Sequence, residues 1–116
     1  AVFALGQMPD DRVVEALRVA SKDRVPDVRW NAALQLARRG DETGIPVLGE
    51  MIDRSFLTTL DMLEEQRVTA MVYALRAIGG LKVEALKPQV FTLKSSDPSM
   101  KVRQAAIEAL EAWEKP

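Results

Sequence analysis

The feature that most constrains the fold is an internal repeat with a period of a few tens of residues. The stretch Leu36–Leu48 aligns with Leu5–Leu17 after a shift of about 31 positions, matching a Leu, an Asp, a β-branched residue and a second Leu. The first Leu of this pattern recurs at Leu75 and Leu110, so the spacings are about 31, 39 and 35 residues. Such periods indicate stacked units that bury their apolar faces against their neighbours.

A second signature comes before two of these leucines. Asp23–Leu36 reads DRVPDVRWNAALQL and Asp97–Leu110 reads DPSMKVRQAAIEAL, and both share an Asp, a Val-Arg pair, an Ala and the Leu at one fixed offset. The middle repeat departs from this pattern, since Arg67 and Val68 stand in reversed order. Met71 and Val72 replace its two alanines, so local packing is hardest to predict there.

The signature Asp-x-x-x-x-Val-Arg-x-x-Ala-Ala resembles the HEAT-repeat family, specifically bacterial HEAT-like repeats of the phycobilisome-lyase type. The resemblance covers nearly the whole chain and implies an all-α fold, a right-handed α-α superhelix (a helical-repeat solenoid) of about three repeats. Residues 1–116 are then a single HEAT-repeat domain. Because the chain starts in the middle of a repeat, we expect it to be a C-terminal fragment of a longer repeat protein.

Periodicity and helix punctuation predict alternating inner and outer helices. Pro26 and Pro98 suit the first turn of a helix, and Gly6, Gly40 and Gly79 fall where inner helices are expected to end. The seven predicted helices are Ala1–Gln7 (inner), Asp11–Ala20 (outer), Pro26–Arg39 (inner), Thr43–Asp53 (outer), Met62–Ile78 (inner), Val83–Lys94 (outer) and Pro98–Glu114 (inner).

The middle repeat carries an insertion between Asp53 and Gln66 that adds about one to two helical turns and is rich in apolar residues. One interpretation, which we favour, is that it extends the inner helix and closes over the core. The alternative is that it projects at a repeat junction and contacts a ligand, as insertions in solenoids often do. Its role is open at this point.

One arc of the second inner helix is predicted to face the core. Residues rotate by about 100° each, so Val28, Ala32, Leu36 and Gly40 share an arc with Ala33 beside them. Small alanines there would allow close approach of neighbouring helices. Leu75 and Leu110 are expected to point into the same apolar seam.

Arg29 lies on this inward arc, where a charge requires a partner. The resemblance implies that Arg29 and Arg103 join a ladder of aspartates between repeats. The candidate aspartates are Asp10, Asp23, Asp41 and Asp97.

The opposite arc is expected to line a solvent-exposed concave face. Transferred through the repeat offsets, its central column reads Phe3, Leu34, Tyr73 and Glu108. An apolar, aromatic stripe with a polar rim is typical of a surface that binds protein. The competing interpretation is that Trp30 packs on its own scaffold and that the insertion covers Tyr73. The predicted protein-binding residues are Trp30, Asn31, Leu34, Arg38, Thr69, Tyr73, Gln104 and Glu108.

Composition narrows the chemistry. With no Cys, no His and a formal net charge of −1, the chain lacks a thiol nucleophile, an imidazole base, the usual zinc ligands and a global field that attracts nucleic acid. We therefore predict a non-enzymatic scaffold that binds another protein or peptide, with no cofactor, metal, nucleic-acid or membrane partner.

Two alternatives remain open. A bilin-lyase-like enzyme subunit would need acid or base groups, for which Asp61, Glu64 and Glu65 are candidates. A HEAT-like module that binds nucleic acid would use cations. The candidate cations are Arg38, Arg76, Lys101 and Arg103.

The ends of the chain add two expectations. An uncapped N-terminal helix would expose Val2, Phe3 and Leu5 and let the fragment self-associate. Trp113 and Pro116 lie in a segment that suits a C-terminal cap. The sequence does not identify the cellular compartment, although it slightly favours the cytoplasm.

Overall fold

A computed structural model describes residues 10–115, and over this range the chain forms helices and turns with no β-strand. The predicted helix Ala1–Gln7, with Gly6 and the N-terminal apolar residues, lies outside the described range. Two short 3₁₀ turns, Glu42–Gly44 and Glu84–Leu86, precede the third and sixth helices. The described α-helices are α1 (Asp10–Ala20), α2 (Pro26–Arg38), α3 (Ile45–Met51), α4 (Arg54–Thr58), α5 (Glu64–Leu81), α6 (Lys87–Ser96) and α7 (Met100–Glu114).

The inner helices α2, α5 and α7 contact one another in chain order. Each outer helix packs on the inner helix that follows it, α1 on α2, α3 on α5 and α6 on α7, and α3 also contacts α2. The molecule measures 41 × 39 × 21 Å, and its shortest dimension is about two helix diameters of roughly 10 Å each. The described residues therefore form two layers of helices.

The predicted seam is confirmed at most positions. Leu36 and Leu75 are fully buried and Leu110 is half-buried, but Leu36 belongs to the cluster between α1 and α2, whereas Leu75 and Leu110 belong to the larger cluster. The prediction for Val28 is wrong, because this side chain is 42% exposed. Its counterpart Val102 is buried where α7 packs on α5, whereas the described residues place no inner helix on that side of α2.

Two glycines allow helices to approach closely. A Cβ built on Gly44 would lie 2.8 Å from the Cα of Ala33, and one built on Gly79 would lie 2.9 Å from the Cα of Ala109. The predicted role of Gly79 as a helix end is wrong, because α5 continues to Leu81. Glycine is needed at position 79 because α7 packs too closely against α5 for a side chain to fit, and not because the helix ends there.

Helix punctuation is confirmed in part. Pro26 occupies the first turn of α2, and Gly40 follows α2 with a φ of +75°, the left-handed region that glycine tolerates. Pro98 lies outside the helix, because Ser99 is the N-cap of α7 and its Oγ accepts from the backbone N–H of Val102 at 3.3 Å. A Ser oxygen satisfies a helix-start donor, which Pro98 cannot do. The third helix ends at Met51, so the predicted end at Asp53 was too late.

The repeated Asp and Val-Arg residues lock a turn before the inner helix. The carboxylates of Asp23 and Asp97 accept from the backbone N–H groups two residues later, at 2.8 and 3.0 Å. Arg29 and Arg103 donate through Nη1 to the backbone carbonyls of the same two aspartates, at 3.4 and 2.7 Å. The motif thus stabilises the entry into α2 and α7.

The predicted arginine–aspartate ladder is wrong in its pairings. Arg29 donates to the carboxylate of Glu50, not to that of Asp23. Asp41 accepts from Arg18, and Asp97 from Arg54. The carboxylate of Asp23 accepts within its own turn, and that of Asp97 accepts there and from Arg54, so neither aspartate pairs with a motif arginine through its carboxylate. The side chain of Asp10 lies outside the described part of the chain.

Candidate binding groove

The insertion folds as a separate short helix, α4, and does not extend α5. Asp53 caps α4 by accepting from the backbone N–H of Phe56 at 3.3 Å and from the hydroxyl of Ser55 at 2.6 Å. The interpretation that the insertion extends the inner helix is therefore wrong, because this cap begins a separate helix before α5. Its predicted cover of the core is correct at Leu57, which is fully buried. After α4 the chain turns through residues 59–63 into α5.

Two arginines hold this turn in place. Arg67 on α5 donates through Nε to the carbonyl of Leu57 at 3.2 Å and through Nη2 to that of Leu60 at 3.5 Å. Arg54 donates to both carboxylate oxygens of Asp97, at 2.8 and 3.0 Å, and to Glu64 at 2.9 Å. The hydrogen bonds to Asp97 are the main reason that the pKa of Arg54 is raised. The insertion is thus tied to α5 and to the turn before α7.

A groove with a volume of about 1040 Å³ lies between α2, α5 and the end of the insertion. Its residues recur three, four and seven positions apart on α2, so one face of that helix forms one wall. The short helix α4 contacts the N-terminal halves of both α2 and α5, since Arg29 on α2 stands 5.9 Å over the ring of Phe56 and Arg54 pairs with Glu64 on α5. The groove residues are Val25, Pro26, Asp27, Trp30, Asn31, Leu34, Met51, Leu60, Asp61, Met62, Leu63, Glu65, Gln66, Thr69, Ala70 and Tyr73.

The structure brings part of the predicted binding set together. Three predicted residues lie outside the groove and are exposed to solvent. They are Arg38 on α2 and the pair Gln104 and Glu108 on α7. On α7, the Gln104 amide lies 3.4 Å from the Glu108 carboxylate. The predicted residues that line the groove are Trp30, Asn31, Leu34, Thr69 and Tyr73.

Trp30 forms the floor of the groove, and its burial confirms the interpretation that it packs on its own scaffold over the one that exposes it to solvent. The side chain is only 5% exposed, and its indole Nε1 donates to Glu50 Oε2 at 2.7 Å. The same oxygen accepts from Nε of Arg29 at 2.7 Å and lies 2.7 Å from Nη2 of that guanidinium. Hydrogen bonds to an ionised carboxylate are stronger than neutral ones, so Glu50 ties the Trp30 indole of α2 to α3.

Large apolar side chains at the groove remain accessible to solvent. Tyr73 is 51% exposed, so the insertion does not cover it. Val25 and Leu63 are also exposed, and Leu34 is half-buried. Because these residues lie around one depression, the groove combines a rigid apolar floor with accessible apolar edges.

The charged groove residues are all acidic. Asp27, Asp61 and Glu65 line the groove, and no Lys or Arg does. Glu64, the remaining candidate for acid/base chemistry, points instead to Arg54. Among the described residues no cluster of three or more His, Cys, Asp or Glu has metal-binding geometry.

Sequence reasoning missed part of this groove. The repeat columns omit Asp27, because it lies in the first turn of α2, about two turns before Leu34 of the central column. They also omit Leu60, Met62 and Leu63, because the insertion has no counterpart in the other repeats. The one signal in the sequence was the apolar content of the insertion. This content did not distinguish a groove wall from a segment buried in the core, because both are apolar.

Comparison with known families supports the repeat assignment. Residues 1–57, just under half of the 116 residues, match the family described as HEAT repeats. Comparisons with curated proteins and with solved structures give no significant match. Among the described residues, none of the helices has the length and apolar character needed to cross a membrane.

Proposed function

We propose that the HEAT-repeat organisation matched in residues 1–57 extends over the whole chain as a right-handed α-α superhelix, and that this chain is a non-catalytic protein-binding module. The order of contacts among α2, α5 and α7 supports such a stack. The likeness to repeats of the phycobilisome-lyase type is part of the same proposal and rests on the shared Asp and Val-Arg signature. In this proposal the groove holds a segment of another protein.

The observation that carries this proposal is the open apolar groove edged by Tyr73. Aromatic side chains, with Trp and Tyr foremost, supply much of the energy of protein interfaces. The floor is already ordered, because Glu50 fixes both Trp30 and Arg29. A preformed site loses less conformational entropy on binding, which favours affinity.

Tyr73→Ala tests this proposal against the matched control Phe91→Ala. Peptides selected from a random display library on the whole chain serve as probes, and their affinities are measured by calorimetry. Tyr73→Ala should weaken binding by about tenfold to thirtyfold, because truncating an interface aromatic costs about 2 kcal/mol. Phe91 is 49% exposed on α6, outside the groove, so Phe91→Ala should leave these affinities within about twofold.

Leu34→Asp provides a second probe of the same groove. It places a charge on the half-buried wall of α2 and should also weaken the selected peptides. Circular dichroism checks that both variants keep their helical content. If neither Tyr73→Ala nor Leu34→Asp changes any affinity, the groove is not the binding site and the proposal is wrong.

The two alternatives find less support in the groove. A groove that carries carboxylates and no Lys or Arg repels phosphate, which argues against nucleic acid as its ligand. Asp61 and Glu65 are exposed rather than enclosed, so they lack the secluded setting that general acid/base chemistry favours. We therefore propose that the chain uses no cofactor.

A further inference from the structure

The groove is asymmetric in charge along its length. Asp27 lies in the first turn of α2, Glu65 lies in the first turn of α5, and Asp61 lies in the turn that leads into α5. Leu34 and Tyr73 lie about two turns further along their helices. Because α4 contacts the N-terminal half of each helix and the three carboxylates line one groove, they gather at the end beside α4, and the apolar wall continues to the other end.

This end of the groove is negative without internal compensation. Exposed carboxylates that converge on a groove raise the local concentration of cations and accelerate the association of basic partners. The nearby guanidinium groups are already engaged, Arg29 with Glu50, Arg54 with Asp97 and Arg67 with backbone carbonyls. A bound segment would thus have to supply the positive charge itself.

We propose that the groove binds an amphipathic, cationic segment of a partner protein. Its apolar side chains pack on Trp30, Leu34 and Tyr73, and its Lys or Arg side chains face Asp27, Asp61 and Glu65. This inference rests on the proposed protein-binding function and specifies the chemistry of the partner. A second copy of this chain and an acidic peptide are the occupants that it excludes.

Three synthetic peptides test the charge preference directly. They have equal length and the same Leu and Phe positions, and they differ only in carrying Lys, Ser or Glu at the polar positions. Each is titrated into the whole chain at low and at physiological ionic strength. The Lys peptide should bind most tightly and the Glu peptide most weakly, and added salt should weaken the Lys peptide most, since salt screens exposed charge pairs.

Matched charge variants locate the effect in the groove. The combined variant Asp27→Asn, Asp61→Asn and Glu65→Gln should weaken the Lys peptide by about tenfold, given the modest strength of each exposed ion pair. It should change the Ser peptide by less than about twofold. The control removes the same charge elsewhere, at the exposed positions outside the groove, Glu42→Gln, Glu111→Gln and Glu114→Gln.

The control separates groove recognition from general attraction to an acidic protein of pI about 5.5. If the control weakens the Lys peptide as much as the groove variant does, the charge inference is overturned. If the Lys and Ser peptides bind equally and Tyr73→Ala abolishes the binding of each, the charge inference is also overturned, but the proposed protein-binding function stands.

If Tyr73→Ala leaves the binding of the peptides unchanged, the charge inference and the proposed binding site are both wrong. If the Lys peptide does not bind at all, the proposal of a cationic partner is wrong. Sedimentation of the chain alone tests whether a second copy occupies the groove. A dimer that Tyr73→Ala dissociates would contradict the proposal that the groove binds a cationic partner.

Discussion

At the scale of single residues, Gly79 in α5 shows that a glycine can match the repeat pattern in position and still have a different structural role from its counterpart, Gly40. Gly79 falls in the same repeat column as Gly40, and only Gly40 has a positive φ. Gly79 is a packing residue, because the backbone of Ala109 occupies the space that a Cβ would take. Sequence position alone does not separate these roles, since both favour glycine.

Gly79→Ala and Gly80→Ala should have opposite effects on stability. A Cβ at Gly80 meets nothing within 4 Å, so Ala there should stabilise the fold by about 0.5–1 kcal/mol through helix propensity. A Cβ at Gly79 would meet helix backbone at 2.9 Å, so Ala there should destabilise by about 1–3 kcal/mol. Urea unfolding followed by circular dichroism measures both, and equal effects would show that α5 and α7 are not packed closely at this point.

Asp41 is a residue whose charge contributes to stability in a pH-dependent way. Hydrogen bonds from the Thr43 side chain, from Arg18 and from the Thr43 backbone lower the pKa of Asp41 to about 2. A carboxylate with a lowered pKa in the folded state stabilises the fold above its unfolded pKa of about 4, and this contribution disappears as pH falls through the folded pKa.

Asp41→Asn should therefore destabilise the protein at neutral pH and have little effect near pH 2. Asn keeps the capping geometry, so the variant isolates the charge. Denaturant unfolding of both proteins at several pH values gives the difference in free energy. Arg18→Met should retain much of the pH dependence, because the Thr43 hydrogen bonds remain. A difference that stays constant from neutral to acid pH would contradict this account.

At the scale of elements, the order and approximate positions of the described helices were predictable, whereas several of their ends and the path of the insertion were not. Helix starts such as Pro26 carry local chemical signals that do not depend on neighbours. The path of α4 depends on Arg54 and Arg67, whose partners are distant in sequence. Periodicity cannot reveal such partners, so the separate helix and the groove beside it required the structure.

Arg54→Met should be among the most damaging single changes on this side of the molecule. The side chain of Asp97 is only 1% exposed, so removing Arg54 leaves a buried carboxylate without its cation, at a cost of about 3 kcal/mol or more. Adding Asp97→Asn should recover part of this loss, and unfolding of the two single variants and the double variant gives the coupling energy. Arg18→Met, at a pair whose arginine is 45% exposed, should destabilise the protein much less than Arg54→Met at neutral pH, because solvent screens an exposed ion pair. Additive effects of Arg54→Met and Asp97→Asn would show that the two residues do not interact.

At the scale of the whole molecule, the core divides into a small cluster between α1 and α2 and a larger one that extends from Trp30 through α5 to α7. The seam residues Leu36 and Leu75 could be predicted because repetition places equivalent residues in equivalent surroundings. Val28 and Trp30 could not, because burial depends on which repeat stands alongside. The sequence therefore predicts the core positions that the repeats share better than the surface positions at which they differ.

In the insertion, the residues that hold the groove in place differ from those that would face a bound segment. Leu57 is buried and Arg54 anchors α4, whereas Asp61 and Leu63 project from the turn into solvent. The exposed positions of this turn, such as Asp61 and Leu63, can consequently vary while the anchors and the core contacts of Leu60 and Met62 stay constant. Evolution, or a protein engineer, could retarget this chain by exchanging a handful of loop residues, much as antibodies change antigen by changing loops on a fixed framework.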